Sequence, residues 1–363
     1  MMTFAKELLD VSGRTRELIT AMPGDTIVSA TKTIRDNHIG CMVVIGDDKR
    51  VVGIISERDI VVRVTAEVND PSKTLVGDVM TTPVVSCAPT TPLDDVRELM
   101  RQYHIRHVAV LEDGMPVGIV SSREIFARRL ADDQQVRNLT VFSLARLAEM
   151  RDTDTGAHLE RVREYACILA DQLRLQDKYA GLIDDSFINL LYVTSPLHDI
   201  GKVSIPDAVL LKPGRLTEVE YDVMKTHASA GAEALGEALA EFPNADFLQM
   251  AKDIAGCHHE RIDGLGYPFG MRGDEIPLSA RIFALVDVYD ALVTKRVYKE
   301  AFTPITAKNI IIEGSGTQFD SDVVDAFLAC EEDFLETYRS HSRPATVVKP
   351  APALVFAAVG GGQ

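Results

Sequence analysis

Five of the nine histidines lie between His158 and His259, beside acidic residues. In order they are Asp154-Thr-Gly-Ala-His158, His198-Asp199-Ile-Gly-Lys202, His227 and His258-His259-Glu260, followed by Asp287 in Val-Asp-Val-Tyr-Asp290. Imidazoles and carboxylates without thiolates suit a borderline or hard divalent metal such as iron, manganese or zinc. Asp154 and His158 are four apart, so on a helix they share one side. His198-Asp199 and His258-His259 are adjacent, about 100° apart around a helix. Neighbours so placed can serve two different metals side by side. A lone histidine is more often a core or surface residue, and His38, His104, His107 and His341 are read that way. Adjacent His-Asp and His-His pairs with flanking Gly-Lys and Asp-Gly steps have no comparable structural motive.

The elements that hold such a cluster must come from a chain of 363 residues, enough for two or three domains. The hydrophobic fraction of 46% and charged fraction of 25% are those of an ordinary globular protein. No stretch approaches the ~18 consecutive apolar residues of a membrane span. Lys6, Glu7 and Asp10 interrupt any apolar core that a signal peptide would need. A cytoplasmic protein with no membrane partner is expected. Cys41, Cys87, Cys167, Cys257 and Cys330 are scattered without a C-x-x-C pair, which argues for reduced thiols. A net charge of -16 disfavours a nucleic acid polymer as partner. A small anionic substrate remains compatible where metals and a few local cations neutralise it.

The first third contains an internal repeat. Pro23–Ile60 and Pro89–Ile125 follow one plan. Each opens with a helical period (Ile27, Ala30, Ile34; then Leu93, Val96, Met100) and passes through His-Ile into a strand run, Met42–Ile45 or Val108–Leu111. A polar turn, a second strand (Val51–Ile55 or Val117–Val120) and a helix start follow. The plan predicts a duplicated α/β unit. The closing motifs are Ser56-Glu57-Arg58-Asp59 and Ser121-Ser122-Arg123-Glu124. Their plain reading is a capping box, in which hydroxyl and carboxylate satisfy backbone N–H groups at a helix start.

This repeat resembles a tandem pair of CBS domains, a module that often binds adenine nucleotides and regulates an attached domain. The resemblance implies a nucleotide site in which Asp59 accepts ribose hydroxyls and Ser56 lies near the phosphates. Glu124 departs from that pattern, so a single site is expected. It also implies assembly as a homodimer. From Glu124 to Met150 no Gly or Pro interrupts the sequence, which predicts a long connecting helix in place of a flexible linker. After His341 the chain turns to Pro, Ala, Val and Gly, the composition of a disordered tail.

Leu-His-Asp-Ile-Gly-Lys at 197–202 resembles an HD-superfamily metal site, and His-His-Glu-Arg-Ile-Asp-Gly-Leu-Gly-Tyr-Pro at 258–268 resembles the loop that names the HD-GYP family. Arg151–His158, Leu211–Thr217, Met224–His227, Ala291–Lys299 and Gly316–Asp320 match the same family in the same order. The resemblance spans about residues 140–335. It implies an all-helical, metal-dependent phosphodiesterase acting on cyclic di-GMP, giving linear pGpG and then GMP. By the same resemblance His158, His198, Asp199, His227, His258, His259 and Asp287 are metal ligands. Asp199 is the bridging carboxylate; His227, His258 and His259 surround one metal, and His158, His198 and Asp287 hold the other. Lys202, Arg296 and Lys299 match cations that meet substrate phosphate, and Tyr267 matches the tyrosine lining the site. Asp154 stands where three-metal members have Glu. The shorter side chain favours two divalent ions, iron or manganese, over three. Val297 replaces the usual Pro of Arg-Pro-Tyr-Lys.

Together these features predict a multidomain chain: an α/β tandem CBS pair (1–130), a connecting helix (131–150), an all-α HD-GYP domain (151–340) and a tail (341–363). His198, Asp199 and Lys202 carry the catalysis expected of it, an in-line hydrolysis assisted by two cations. Two alternatives stay open, hydrolysis of another cyclic dinucleotide and a non-catalytic sensor of the dinucleotide. The Gly-rich stretch Gly264, Gly266, Gly270, Gly273 is expected to form a substrate- or partner-facing loop.

Overall fold

A computed structural model describes residues 3–11, 18–151, 157–294 and 301–342. The chain forms two compact units, residues 1–136 and 137–363. Among the described residues no helix is long and apolar enough to cross a membrane.

The first unit contains α1 (Ala5–Val11), β1 (Thr20–Ala21), α2 (Ile27–Asn37), β2 (Cys41–Ile45), β3 (Val51–Ser56) and α3 (Glu57–Ile60). These are followed by α4 (Val76–Val79), β4 (Ser86–Cys87), α5 (Leu93–Tyr103), β5 (His107–Glu112) and β6 (Met115–Ser121). Each copy of the repeat builds a three-stranded sheet, β1-β2-β3 or β4-β5-β6. In each, the short first strand pairs parallel with the second, and the second pairs antiparallel with the third. His38 and His104 are the left-handed C-caps of α2 and α5, with φ of 53° and 54°. Their place in the repeat is therefore architectural, a turn out of the helix into the strand.

The two copies also exchange elements, which periodicity does not reveal. Ala5 and Leu8 of α1, ahead of the first copy, join Val96, Val108 and Val120 in the core of the second. Gly118 in β6 makes room for this, since a Cβ there would lie 2.5 Å from Leu9. Conversely Val76 and Val79 of α4, ahead of the second copy, complete the core of the first with Ile27, Met42 and Ile55. Neither copy closes its core alone.

α6 is one helix, Ser122–Glu149. Its last turns bury Val141, Ala145 and Ala148, and Val141 and Ala145 pack with Leu159, Val193, Leu197 and Ala251 of the second unit. The expected connecting helix is thus longer than 131–150 at its start, because the Ser-x-x-Glu motif begins it at Ser122.

The second unit continues with α7 (Ala157–Leu173), α8 (Asp185–Thr194), α9 (Asp207–Leu210), α10 (Glu218–Glu241) and α11 (Asp246–Cys257). It ends with α12 (Leu278–Val293), α13 (Pro304–Glu313), α14 (Ser321–Ala329) and α15 (Glu331–Ser342). All its named elements are helical. α12 is apolar nearly all round, as a central helix must be. Its Phe283, Val286 and Tyr289 are enclosed by Tyr165 and Leu169 of α7 and by Phe327 and Phe334. The C-terminal segment from residue 343 lies outside the described residues.

Candidate metal centre

Five chain segments meet above α12. α7 supplies His158 in its first turn, and α12 supplies Asp287 and Asp290. Two short 3-10 turns, Ser195–Leu197 and Ile200–Ser204, flank His198 and Asp199 and carry Lys202. α10 supplies His227, and the end of α11 supplies His258 and His259. The His-Asp and His-His pairs therefore do not sit inside α-helices as their spacing was read. His198-Asp199 spans a junction between 3-10 turns, and His258 is a C-cap. His198 and Asp199 aim at different parts of the cluster, whereas His258 and His259 do not separate as adjacent helix positions were expected to and converge on one group of ligand atoms.

A glycine contact sets the depth of the cluster. A Cβ on Gly201 would stand 2.0 Å from the His227 carbonyl oxygen and 2.5 Å from the Gly231 nitrogen. Only glycine lets the turn bearing Asp199 and Lys202 lie against the α10 backbone at His227.

Two groups of ligand atoms result: His227, His258 and His259 in one, His158, His198 and Asp287 in the other, each within 4.8 Å of one another. Asp199 touches both. Its Oδ1 is 3.3 Å from His227 Nε2 and 3.9 Å from His258 Nε2, and its Oδ2 is 3.1 Å from His198 Nε2. Lys202 Nζ lies 2.8 Å from Asp199 Oδ2.

The far side of each ring fixes its tautomer. His198 Nδ1 donates to the Ser195 carbonyl (3.1 Å), His227 Nδ1 to Met224 (2.7 Å), and His258 Nδ1 to Ile254 (3.0 Å). A carbonyl can only accept, so Nδ1 carries the proton and a neutral ring offers its Nε2 lone pair to the cluster. His158 Nδ1 is held by Asp290 Oδ2 at 2.7 Å, and Arg161 holds the same carboxylate at 2.6 and 2.8 Å. Carboxylate or carbonyl on one nitrogen and an inward lone pair on the other is the arrangement of metal-ligating histidines.

Burial favours the neutral ring at His258 and His259, while Asp199 draws His198 the other way. Burial pulls His258 down to about 4, with His198 adding to the shift. Burial, with His258 alongside, holds His259 well below its usual value. Burial opposes charge on His198 as well, but the Asp199 carboxylate raises it to about 9. Against its own burial, Asp199 is held well below the usual carboxylate range by Lys202 and then by His198. His198 Nε2 is buried, and its one close polar neighbour, Asp199 Oδ2 at 3.1 Å, is not aligned for a hydrogen bond. Convergent imidazole nitrogens around a central buried carboxylate are a donor set that fits divalent ions.

The rim of the site is aromatic. Tyr267 stacks on His259 with centroids 4.7 Å apart. Glu260, buried and unassigned by sequence reasoning, accepts from Phe269 N (2.7 Å), Gly270 N (3.1 Å) and Met271 N (3.0 Å), which ties the Gly-rich loop to the histidine pair. Gly266 lets the loop fold back, since a Cβ there would meet the Glu260 Cα at 2.5 Å. Asp290, Arg161 and Arg151 were also missed. Asp290 had a signal, its i,i+3 spacing from Asp287. Arg151, at the end of α6, donates to Val203 O (2.6 Å) and Ile205 O (3.1 Å) and so clasps the turn after Lys202. Asp154, Arg296 and Lys299 lie outside the described residues.

In the first unit, Ser56 and Asp59 form the capping box: Ser56 N donates to Asp59 Oδ2 (2.9 Å), and Asp59 N to Ser56 Oγ (3.3 Å). Thr81 donates to the other Asp59 oxygen at 3.0 Å. Ser121 and Glu124 make the same cap at 2.8 and 3.2 Å. A cleft of about 1400 Å³ between the copies is lined by Arg35, His38, Glu57, His107, Arg123 and Glu124 among others, but not by Asp59.

Known proteins share these parts. Residues 143–323 match the HD domain family, and residues 9–65 and 76–130 each match the CBS domain. The chain is 53% identical over 199 residues to a cyclic di-GMP phosphodiesterase of Vibrio cholerae, covering 55% of this chain and 40% of that protein. A probable cyclic di-GMP phosphodiesterase of the same organism is 45% identical, covering 61% of this chain and 51% of its own. A 3'3'-cGAMP-specific phosphodiesterase of that organism is 37% identical, with 57% and 37% covered. The chain thus spans about half the length, or less, of these relatives. The chain thus carries a tandem pair of CBS domains followed by an HD domain.

Proposed function

We propose that the second unit is a metal-dependent phosphodiesterase that opens cyclic di-GMP to linear pGpG and then to GMP. The observation that carries this reading is Asp199, whose two oxygens face two separate groups of ligand atoms. In this reading His227, His258 and His259 hold one ion, His158, His198 and Asp287 the other, and Asp199 is shared. Two divalent ions there, iron or manganese, would supply Lewis acidity toward the phosphoryl oxygens and lower the pKa of water.

The chain's own residues do the rest. The backbone carbonyls of Ser195, Met224 and Ile254 hold a proton at each Nδ1, so that Nε2 is the nitrogen each ring turns to an ion. Lys202, 2.8 Å from Asp199, offsets the negative charge that grows on the phosphoryl group in the transition state. Tyr267 closes one wall against water. Arg296 and Lys299 complete the phosphate cations in this reading.

Residues 1–130 regulate, 131–150 connect and 151–340 catalyse. An adenine nucleotide at the CBS pair, through Ser56 and Asp59, would bias the second unit by way of α6 and the Arg151 clasp, in a homodimer. Leu265 and Phe269, exposed on the Gly-rich loop, are the apolar groups a protein partner there would meet.

A second substrate, 3'3'-cGAMP, is favoured by the likeness to the cGAMP-specific enzyme. Purified protein loaded with Fe(II) or Mn(II) should turn over cyclic di-GMP faster than 3'3'-cGAMP or cyclic di-AMP. Faster turnover of 3'3'-cGAMP would reassign the substrate. Binding without turnover of any would make the domain a sensor.

A further inference from the structure

Beside the two groups of ligand atoms, Tyr221, Lys225 and Tyr267 form a further cluster of side chains. Tyr221 stands half exposed on α10, one turn before Lys225. The Lys225 ammonium lies 5.3 Å from the centroid of the Tyr221 ring and 6.0 Å from that of Tyr267. Asp222 anchors it at 2.6 Å. Tyr267 in turn stacks on His259. Two aromatic rings with a cation between them therefore run outward from the histidine cluster to solvent. Tyr221, whose side chain also hydrogen-bonds with Tyr267, is 50% exposed, which leaves part of its ring open to a flat ligand.

We propose that Tyr221 and Lys225 form a purine shelf beside the metal centre, Tyr221 stacking on one base of the substrate and Lys225 reading its edge. The inference rests on the phosphodiesterase reading and names residues that hold the base, not the phosphate. Base–aromatic stacking is tolerant of base identity, because every base has a π-face. An ammonium is not tolerant: it donates to the O6 and N7 acceptors of guanine, whereas adenine presents an amino donor at that edge. The shelf would therefore favour guanine. Both residues are positioning residues, remote from the reacting phosphoryl group.

The test uses full-length protein. Tyr221→Ala should raise KM for cyclic di-GMP about 5- to 150-fold, the range of one lost stacking contact, with kcat changed far less. Calorimetry of pGpG on chelator-treated protein should show a matching loss of affinity, and Tyr221→Phe should restore both. Lys225→Met should raise KM for cyclic di-GMP more than for cyclic di-AMP. Metal content should stay at the wild-type value in all three. Unchanged KM and pGpG affinity in Tyr221→Ala, in a wild type that binds and hydrolyses cyclic di-GMP, would overturn the shelf alone. A wild type that neither binds nor hydrolyses any cyclic dinucleotide would overturn the shelf and the phosphodiesterase reading together.

Discussion

Asp290 Oδ2 stands 2.7 Å from His158 Nδ1, joining the first turn of α7 to the last turns of α12. Both side chains are buried, and Arg161 supplies the balancing charge. Burial disfavours charge on Asp290, but the hydrogen bonds from Arg161 and then His158 hold its carboxyl below the usual range. Asp290 thus orients the ring of His158, a metal ligand in the proposed function, from outside the two groups of ligand atoms. Asp290→Asn should lower metal affinity about 10- to 100-fold, the usual effect of losing such an orienting partner. It should also cost on the order of 3–5 kcal/mol of stability, since Arg161 is left buried without a counter-charge. Metal titration and denaturant unfolding of the same variant measure the two effects. Wild-type metal affinity in Asp290→Asn would remove its positioning role.

Gly201→Ala and Gly236→Ala make an opposed pair. The first puts a Cβ 2.0 Å from the His227 carbonyl, a rigid backbone atom. Overpacking of that kind costs about 1–3 kcal/mol or more. The turn bearing Asp199 must then lift from α10, so metal content should fall too. At Gly236 the nearest atoms, 3.6 Å and farther, belong to the flexible Lys252 chain, and the position is in mid-helix. Alanine there should stabilise by roughly 0.5–1 kcal/mol. Thermal unfolding of the two variants should shift in opposite directions.

The first unit gives a prediction about Asp59. Its carboxylate is already used by Ser56 and Thr81, so any ribose diol must compete with the cap or share an oxygen with it. Calorimetry with ATP, ADP and AMP should detect binding below millimolar in wild type and a loss in Asp59→Ala. Bound nucleotide should change phosphodiesterase turnover or substrate affinity, a typical coupling being about 5- to 150-fold. Binding that survives in Asp59→Ala would move the site to the Glu57 and Glu124 side of the cleft. Absence of binding would leave Asp59 as a helix cap and the pair as a dimerisation scaffold.

The gathering of these His and Asp side chains was legible because adjacent His-Asp and His-His pairs serve no packing purpose. The grouping expected for them is the grouping of their atoms in space. The repeat was legible for a similar reason: helix period, His-Ile step and strands recur in order. Two kinds of feature were not. The exchange of α1 and α4 between the copies depends on tertiary packing, which periodicity of one segment cannot report. Glu260 and Arg151 act on backbone groups, through Phe269 to Met271 and through Val203 and Ile205, and backbone partners leave no trace in residue type. The helical reading of the His pairs failed because both lie where helices end, ends that Pro196 and Gly201 mark beside the first pair and Gly256 beside the second.

The central claim is that Asp199 joins two metal sites, and elemental analysis of Asp199→Ala beside wild type tests it most directly. Wild-type protein should carry about two iron or manganese ions per chain, the number a bridged two-metal clamp requires. Asp199→Ala should lose most of that metal and all measurable hydrolysis while keeping its helical circular dichroism, because the alanine removes a ligand and leaves the packing of α7, α10 and α12 in place. Wild-type metal content together with undiminished turnover in Asp199→Ala would contradict the account.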